Sequence, residues 1–248
     1  MDPLAPLRRS PADTAIFVDF DGTLAPIVAA AADARPLPGV PALLTELART
    51  YGVVAVVSGR PVAFLQDHLP AEVELHGLYG LESIVDGELA HHKEADGWRT
   101  VVAEVAAEAH RSGPGGVDVE DKGLSITLHF RRRPELAEPG ARWAAQAAER
   151  SGLLLRRAKM SVELHPPVAV DKGSVVMARG AGCVAAAYLG DDEGDLPAFA
   201  ALDRLAERGT ATLKVAVRTP DASPDLLASA DLHVDAPAGA VVLLRRLL

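Results

Sequence analysis

The sequence predicts an α/β protein, a parallel β-sheet covered by helices on both faces and interrupted by a separate α+β segment. Three observations predict it. Short, nearly unbroken apolar runs at 15–20, 53–57, 183–189 and 213–217 alternate with helix-length amphipathic stretches, as expected of strands buried on both faces. The hydrophobic share of 49% rests on Ala, Val and Leu, with only 4% aromatic, which suits helices packed tightly on β-branched strands. Between 84 and 165 the pattern changes to helix, hairpin, helix, hairpin, so 1–83 and 166–248 form one predicted domain and 84–165 an inserted one. A chain of 248 residues is long enough to bury such a core without disulfides.

Each element has a local reason. The first strand, 15–20, stops abruptly at Asp21-Gly22-Thr23. A helix over 41–50 follows and is capped by Gly52, and strand 53–57 ends at Ser58-Gly59-Arg60 before a helix opened by Pro61. The insertion places a helix at 98–110, strands at 117–120 and 124–130 around Asp121-Lys122-Gly123, a helix at 142–149, and strands at 153–155 and 160–164. A helix at 172–181 leads to strand 183–189, which breaks at Gly190-Asp191-Asp192. A helix at 197–207, strand 213–217 and short elements complete the chain.

Composition excludes several classes of function. A net charge of −9 argues against a nucleic-acid binder, which needs a basic face. No apolar run approaches the ~18 residues of a membrane span. Arg8 and Arg9 are followed by Ser10-Pro11-Ala12-Asp13-Thr14 where a signal peptide needs its apolar stretch, so a cytoplasmic protein without membrane partners is expected. The single cysteine, Cys183, excludes a disulfide framework and a cysteine-based zinc site.

Within the insertion, Leu124, Ile126, Leu128 and Phe130 alternate with Ser125, Thr127, His129 and Arg131, and Met160, Val162 and Leu164 alternate with Ser161, Glu163 and His165. One sheet face therefore packs on helices and the other is polar. The pattern leaves two readings of the polar face, a solvated surface or a platform for a polyhydroxylated ligand.

The most informative segment is Val18-Asp19-Phe20-Asp21-Gly22-Thr23. It puts two carboxylates at the carboxyl end of a buried strand, where open α/β sheets bind ligands. Gly190-Asp191-Asp192-Glu193-Gly194-Asp195 puts a second acidic cluster at another strand end. If those strands are neighbours, up to five carboxylates converge, and such a cluster needs a divalent cation to offset its repulsion. Oxygen-only ligation favours Mg²⁺ over zinc. Ser58-Gly59, between a strand and a helix, can face an anion with a hydroxyl and backbone N–H groups, and Lys172 offers a compact positive charge at another helix start.

In this order, Asp19-x-Asp21-Gly22-Thr23, Ser58-Gly59-Arg60, Lys172 and Gly190-Asp191-Asp192-x-x-Asp195 resemble the four motifs of the haloacid dehalogenase-like (HAD) phosphatases. The segments Leu24-Ala25-Pro26-Ile27, 76–82, Val119-Glu120-Asp121-Lys122, His129-Phe130-Arg131 and Glu163-Leu164-His165-Pro166 resemble the trehalose-6-phosphate phosphatase family. The family's fourth motif usually reads GDDxTDE, whereas Gly194 and Leu196 stand here in place of its Thr and Glu. The resemblance implies a three-layer, Rossmann-like core and a C2-type cap, and Mg²⁺-dependent hydrolysis of trehalose 6-phosphate, the last step of trehalose biosynthesis.

It also implies roles. Asp19 is the nucleophile and Asp21 the acid and base. The metal is held by Asp19, the backbone carbonyl of Asp21, and Asp191, with Asp192 and Asp195 bound through water or orienting the site. Lys172 joins the catalytic set, and Ser58, Gly59 and Arg60 bind phosphate. Glu120, Lys122, His129, Arg131 and Glu163 are the candidates for the sugar. The expected partner is a small sugar phosphate, and the expected state is a monomer. The alternatives are a phosphatase of sucrose-phosphate or of a mannosyl- or glucosyl-phosphoglycerate, a phosphosugar mutase, or a non-catalytic sugar-phosphate sensor.

Overall fold

The computed structural model describes residues 2–158 and 160–248. The strands are β1 (Thr14–Val18), β2 (Val53–Val57), β3 (Glu74–Gly77), β4 (Glu82–Val85), β5 (Glu88–His91), β6 (Asp118–Asp121), β7 (Ile126–His129), β8 (Leu154–Ala158), β9 (Ser161–His165), β10 (Ala185–Gly190), β11 (Ala211–Arg218) and β12 (Leu232–Asp235). The chain divides into two compact units. The first comprises 1–28, 34–90 and 170–248, and the second comprises 29–33 and 91–169.

The first unit is built on an eight-stranded sheet of order β12-β11-β10-β1-β2-β3-β4-β5. β1 lies in parallel register between β10 and β2, with Val18 beside Leu189 on one side and Val56 on the other. The unbroken apolar runs follow from burial on both faces. Ile16 and Val18 pack with Leu44, Leu47 and Leu244 on one side, while Ala15 and Phe17 pack with Val176, Phe199 and Leu202 on the other. Each fully buried apolar side chain of this size contributes roughly 1.5–3 kcal/mol. Those helices are Val40–Thr50 and Ala236–Arg245 on the first face, and Lys172–Gly180 and Leu196–Glu207 on the second.

The sheet is mixed rather than wholly parallel, because β4 returns antiparallel to β3. β3, β4 and β5 carry weak sequence signals. Glu74-Leu75-His76-Gly77 is a strand because the edge of β2 supplies its hydrogen bonds, not because of its own pattern. Of the described helices, none is long and apolar enough to cross a membrane.

The second unit is a four-stranded antiparallel sheet of order β6-β7-β9-β8. Ile126, Leu128, Phe130, Val162 and Leu164 pack on helices Arg99–Ser112 and Ala137–Ser151 through Val102, Val105, Ala144 and Ala147. The alternation read from the sequence therefore holds on this face. The opposite face forms cross-strand rows, with Glu120, Thr127, Glu163 and Arg156 side by side in one and Asp118, His129, Ser161 and Ala158 in the next.

Candidate active site

The site grows from the adjacency of β1 and β10. Their carboxyl ends lie together where the strand order reverses, the position at which open α/β sheets take ligands. Asp19 follows β1 directly, and its backbone N–H donates to the Leu189 carbonyl at 2.9 Å. Asp191 and Asp192 follow β10. The chain turns sharply after Asp21 because Gly22 adopts φ +75°, and a Cβ there would collide with the Asp191 carboxylate. Glycine thus serves the turn and leaves room for the neighbouring carboxylate.

Lys172 opens the helix Lys172–Gly180, whose start is set by a capping box between Asp171 and Ser174. Its side chain is buried, with Nζ 2.9 Å from Asp19 Oδ1 and 2.6 Å from Asp195 Oδ1. Burial works to depress the Lys172 pKa, but Asp19 and Asp195 outweigh it and hold the ammonium well above its ordinary range. Those two carboxylates take two of its three hydrogens.

Asp19, Asp191 and Asp195 each present an oxygen within 4.8 Å of the others, and all three are buried. They are not equivalent. Asp195 Oδ1 accepts from Lys172 and from the Tyr188 hydroxyl at 2.6 Å, while Oδ2 accepts from the backbone N–H of Asp191 at 2.8 Å and of Asp192 at 3.1 Å. Four donors fill the lone-pair sites of one carboxylate, so Asp195 fixes the loop and the lysine and has little left for a cation. Asp19 and Asp191 keep donor capacity. Burial, then the neighbouring acids, raise Asp19 well above the usual carboxylate range, although Lys172 opposes them. Burial, then Asp195 and Asp192, push Asp191 up to about 8, even though it accepts a 2.8 Å bond from Thr219 Oγ1. Asp192 rises to about 6, for burial and Asp195 again, while its Oδ1 accepts from Gly194 N–H. Oxygen donors held apart from water and straining against ionisation fit a hard divalent cation.

One prediction follows from these directions. For Asp191 to help hold a divalent cation such as Mg²⁺, its carboxyl must first lose its proton, so binding there would release protons and tighten as pH rises toward about 8. Calorimetric titration at pH 6, 7 and 8 is expected to give an affinity that rises about tenfold per unit at most, with proton release. A pH-independent affinity would remove Asp191 from the ligand set.

The remaining core residues sit at the same strand ends. Ser58, buried after β2, receives the Arg60 N–H on Oγ at 3.2 Å, and its own N–H donates to the His76 carbonyl. The Tyr79 ring lies directly over Gly59, where any side chain would meet it. Arg60, grouped with the phosphate-binding residues from sequence, turns its guanidinium onto Asp21, with Nε to Oδ2 at 2.7 Å and Nη2 to Oδ1 at 2.8 Å. Tyr188 and Thr219 lie outside the site residues and motifs read from sequence, while Glu82, the last residue of the family-like segment 76–82, accepts the Val62 N–H at the start of helix Val62–Gln66. Of Tyr188 and Thr219, only Tyr188 carries a sequence signal, as the one hydroxyl in an otherwise apolar strand.

In the second unit, Glu120, Lys122, His129 and Glu163 of the predicted sugar residues sit on or beside the polar sheet face, whereas Arg131 lies in the turn after β7. Glu163 is buried and accepts from Ser125 Oγ at 2.7 Å and Arg156 Nη1 at 3.1 Å, with Lys122 Nζ at 3.6 Å. Burial raises its pKa, but Lys122, Arg156 and the Ser125 bond together hold it below the usual range. His129 pairs with Glu120 at 2.8 Å, and Arg131 is exposed. Ser125 and Thr127 are buried too, so this part of the polar face is not a solvated surface. Arg156 lies outside the alternation visible in β7 and β9, and only the pairing of β8 with β9 brings it to Glu163.

Comparison with known proteins gives a consistent picture. Residues 17–231 match the family model described as trehalose-phosphatase. The trehalose-phosphate phosphatase of Mycolicibacterium paratuberculosis is 34% identical over 94% of this chain and 61% of its own length. A probable trehalose-phosphate phosphatase of Sinorhizobium fredii is 31% identical over 77% of this chain and 74% of that protein. The chain therefore spans about three fifths of the mycobacterial relative's length. Among solved structures, the C-terminal domain of Candida albicans trehalose-6-phosphate phosphatase has a TM-score of 0.80 at 22% identity, covering 100% of this chain and 97% of that one. A haloacid dehalogenase-like hydrolase from Bacteroides thetaiotaomicron has a TM-score of 0.62 at 14% identity, over 95% and 99% of the two chains. These structural likenesses establish the HAD-like fold.

Proposed function

The chain belongs to the trehalose-phosphatase family, and from that membership we propose that it hydrolyses trehalose 6-phosphate to trehalose and phosphate with Mg²⁺ as cofactor. The observation that carries the reading is Asp19, a buried carboxylate at a strand end, 2.9 Å from the Lys172 ammonium and clustered with Asp191. Asp19 attacks phosphorus, and its new P–O bond forms as the bond from phosphorus to the sugar oxygen breaks. Asp21 gives its proton to that departing oxygen. It then takes a proton from the water that attacks the aspartyl-phosphate, which releases phosphate and returns the Asp19 carboxylate.

Ser58 and the backbone N–H groups after it, together with the third hydrogen of Lys172, hold phosphoryl oxygens. Asp19, Asp191 and the Asp21 carbonyl would hold Mg²⁺, and Asp192 and Asp195 keep their loop in place. When bound, the cation offsets negative charge on the transferring group.

We propose further that the second unit chooses the sugar, through Glu120, Lys122, His129, Arg131 and Glu163. Supporting this is the buried, charge-paired Glu163 on a face rich in hydroxyls and charges. Phosphate release with Mg²⁺ is expected to favour trehalose 6-phosphate over sucrose-phosphate and mannosyl- or glucosyl-phosphoglycerate. Glu163→Ala is expected to lower kcat/KM for trehalose 6-phosphate by about ten- to a hundredfold, the worth of a charged hydrogen bond. A small aryl phosphate, with no hydroxyls to grip, should change by about twofold at most. Preference for another ester in the panel overturns the substrate. Equal losses on both substrates make Glu163 a support of the fold instead.

A further inference from the structure

Arg60 and Asp21 form a two-pronged ion pair whose buried end is the cation. The Arg60 side chain is 9% exposed and that of Asp21 36%. The guanidinium carbon lies 4.6 Å from the centroid of the Phe64 ring, which packs edge-on against Phe20 at 5.6 Å and stacks on His68 at 4.6 Å. The Arg60 backbone is tied down as well. Its N–H reaches Ser58 Oγ at 3.2 Å and its carbonyl accepts from Leu78 N–H at 2.9 Å. Arg60 is thus held by an aromatic wedge and by its own turn, while Asp21 is the more accessible partner.

From this geometry we infer that Arg60 is the positioning residue for Asp21, and that its guanidinium edge serves the acid–base carboxylate rather than the phosphoryl group. The inference rests on the phosphatase reading, in which Asp21 moves the protons. A fork of two parallel N–H bonds fixes the plane of a carboxylate, which a single ammonium cannot do. It fills one lone-pair site on each oxygen and leaves the others to exchange a proton with a leaving oxygen or a water. A phosphoryl oxygen could use the same edge only by displacing Asp21. Misplacing a proton donor by about an ångström costs roughly a hundredfold in rate.

The two half-reactions make the role separable. Forming the aspartyl-phosphate from p-nitrophenyl phosphate needs no proton from Asp21, because nitrophenolate leaves unaided, whereas cleaving the intermediate needs Asp21 to take the proton of water. Arg60→Lys and Arg60→Ala should be compared with the wild-type protein in Mg²⁺ by rapid mixing. Turnover of trehalose 6-phosphate is expected to fall about a hundredfold in Arg60→Ala, with KM within about threefold. With p-nitrophenyl phosphate the same variant should release close to one nitrophenolate per protein in a burst exceeding the wild type's. Slow turnover should follow, with covalent phosphate recovered on the quenched protein. Arg60→Lys keeps the charge without the fork, so it should show the same burst even if the alanine variant folds poorly. Added guanidinium should restore part of the Arg60→Ala rate.

Loss of the burst together with a raised KM and weaker inhibition by inorganic phosphate would assign Arg60 to the phosphoryl group and overturn the inference. A uniform loss at every step, with a lower melting temperature and no guanidinium rescue, would make it structural and overturn it equally. Wild-type activity on the aryl ester without activity on trehalose 6-phosphate would defeat the substrate reading alone, since the burst comparison still runs.

Discussion

Asp19→Asn is expected to lower turnover by about five orders of magnitude while leaving the folded state at least as stable as before. The amide keeps the size and place of the carboxylate but is a poor nucleophile, so the bond to phosphorus does not form. Its effect on stability is small because the charge it removes is a strained one. Burial and three neighbouring acids already hold Asp19 well above the usual carboxylate range, and Lys172 retains Asp195 at 2.6 Å after the change. Phosphate release and thermal melting on the same preparation check both halves. Substantial turnover would end the covalent mechanism, and a large fall in melting temperature would show that the Asp19–Lys172 pair serves the fold.

Lys172→Met is expected to damage both activity and stability. It preserves length and apolar bulk but leaves the buried carboxylates of Asp19 and Asp195 without their cation. Breaking a buried pair from one side costs about 3–5 kcal/mol, or a fall of roughly 10 °C in melting temperature for a chain of this size. The sign with pH follows from direction. An acid whose folded pKa is raised is fully tolerated when protonated, and it loses stability as pH climbs from the ordinary Asp range through its folded value. Without the lysine, Asp19 rises further, so the deficit should be smallest at acid pH and widen as pH rises. A loss independent of pH would mean that the side chain acts by packing alone. Phosphate release should fall to background, since the ammonium that lies 2.9 Å from Asp19 is lost.

The strands that carry the acidic cluster were legible because burial on both faces leaves a continuous apolar run. β1, β2, β10 and β11 are read from it, and each points to the polar residues at its carboxyl end, Asp19, Ser58 and Asp191 among them. The order of the motifs added the family. The amphipathic alternation around Leu128 likewise marked the sheet of the second unit and which of its faces is apolar. All of these are periodicities or local sequences, which a single strand or turn carries by itself.

Tertiary structure alone decided which of these groups meet. That β10 lies beside β1 is a matter of strand order, and only then do Asp19, Asp191 and Asp195 come within 4.8 Å of one another. The division of labour among the acids depends on hydrogen-bond donors far away in sequence. Lys172 and Tyr188 saturate Asp195, Thr219 meets Asp191, and Arg60 takes Asp21, so identical side chains stand in three different environments. β3 to β5 are not legible in the sequence for the related reason that a four-residue strand without an apolar run owes its place to the neighbour it pairs with rather than to its own pattern. Sequence specifies which chemical groups stand at the ends of buried elements, whereas the charge, orientation and freedom of each carboxylate depend on burial and on partners that only the folded chain brings within about 3 Å.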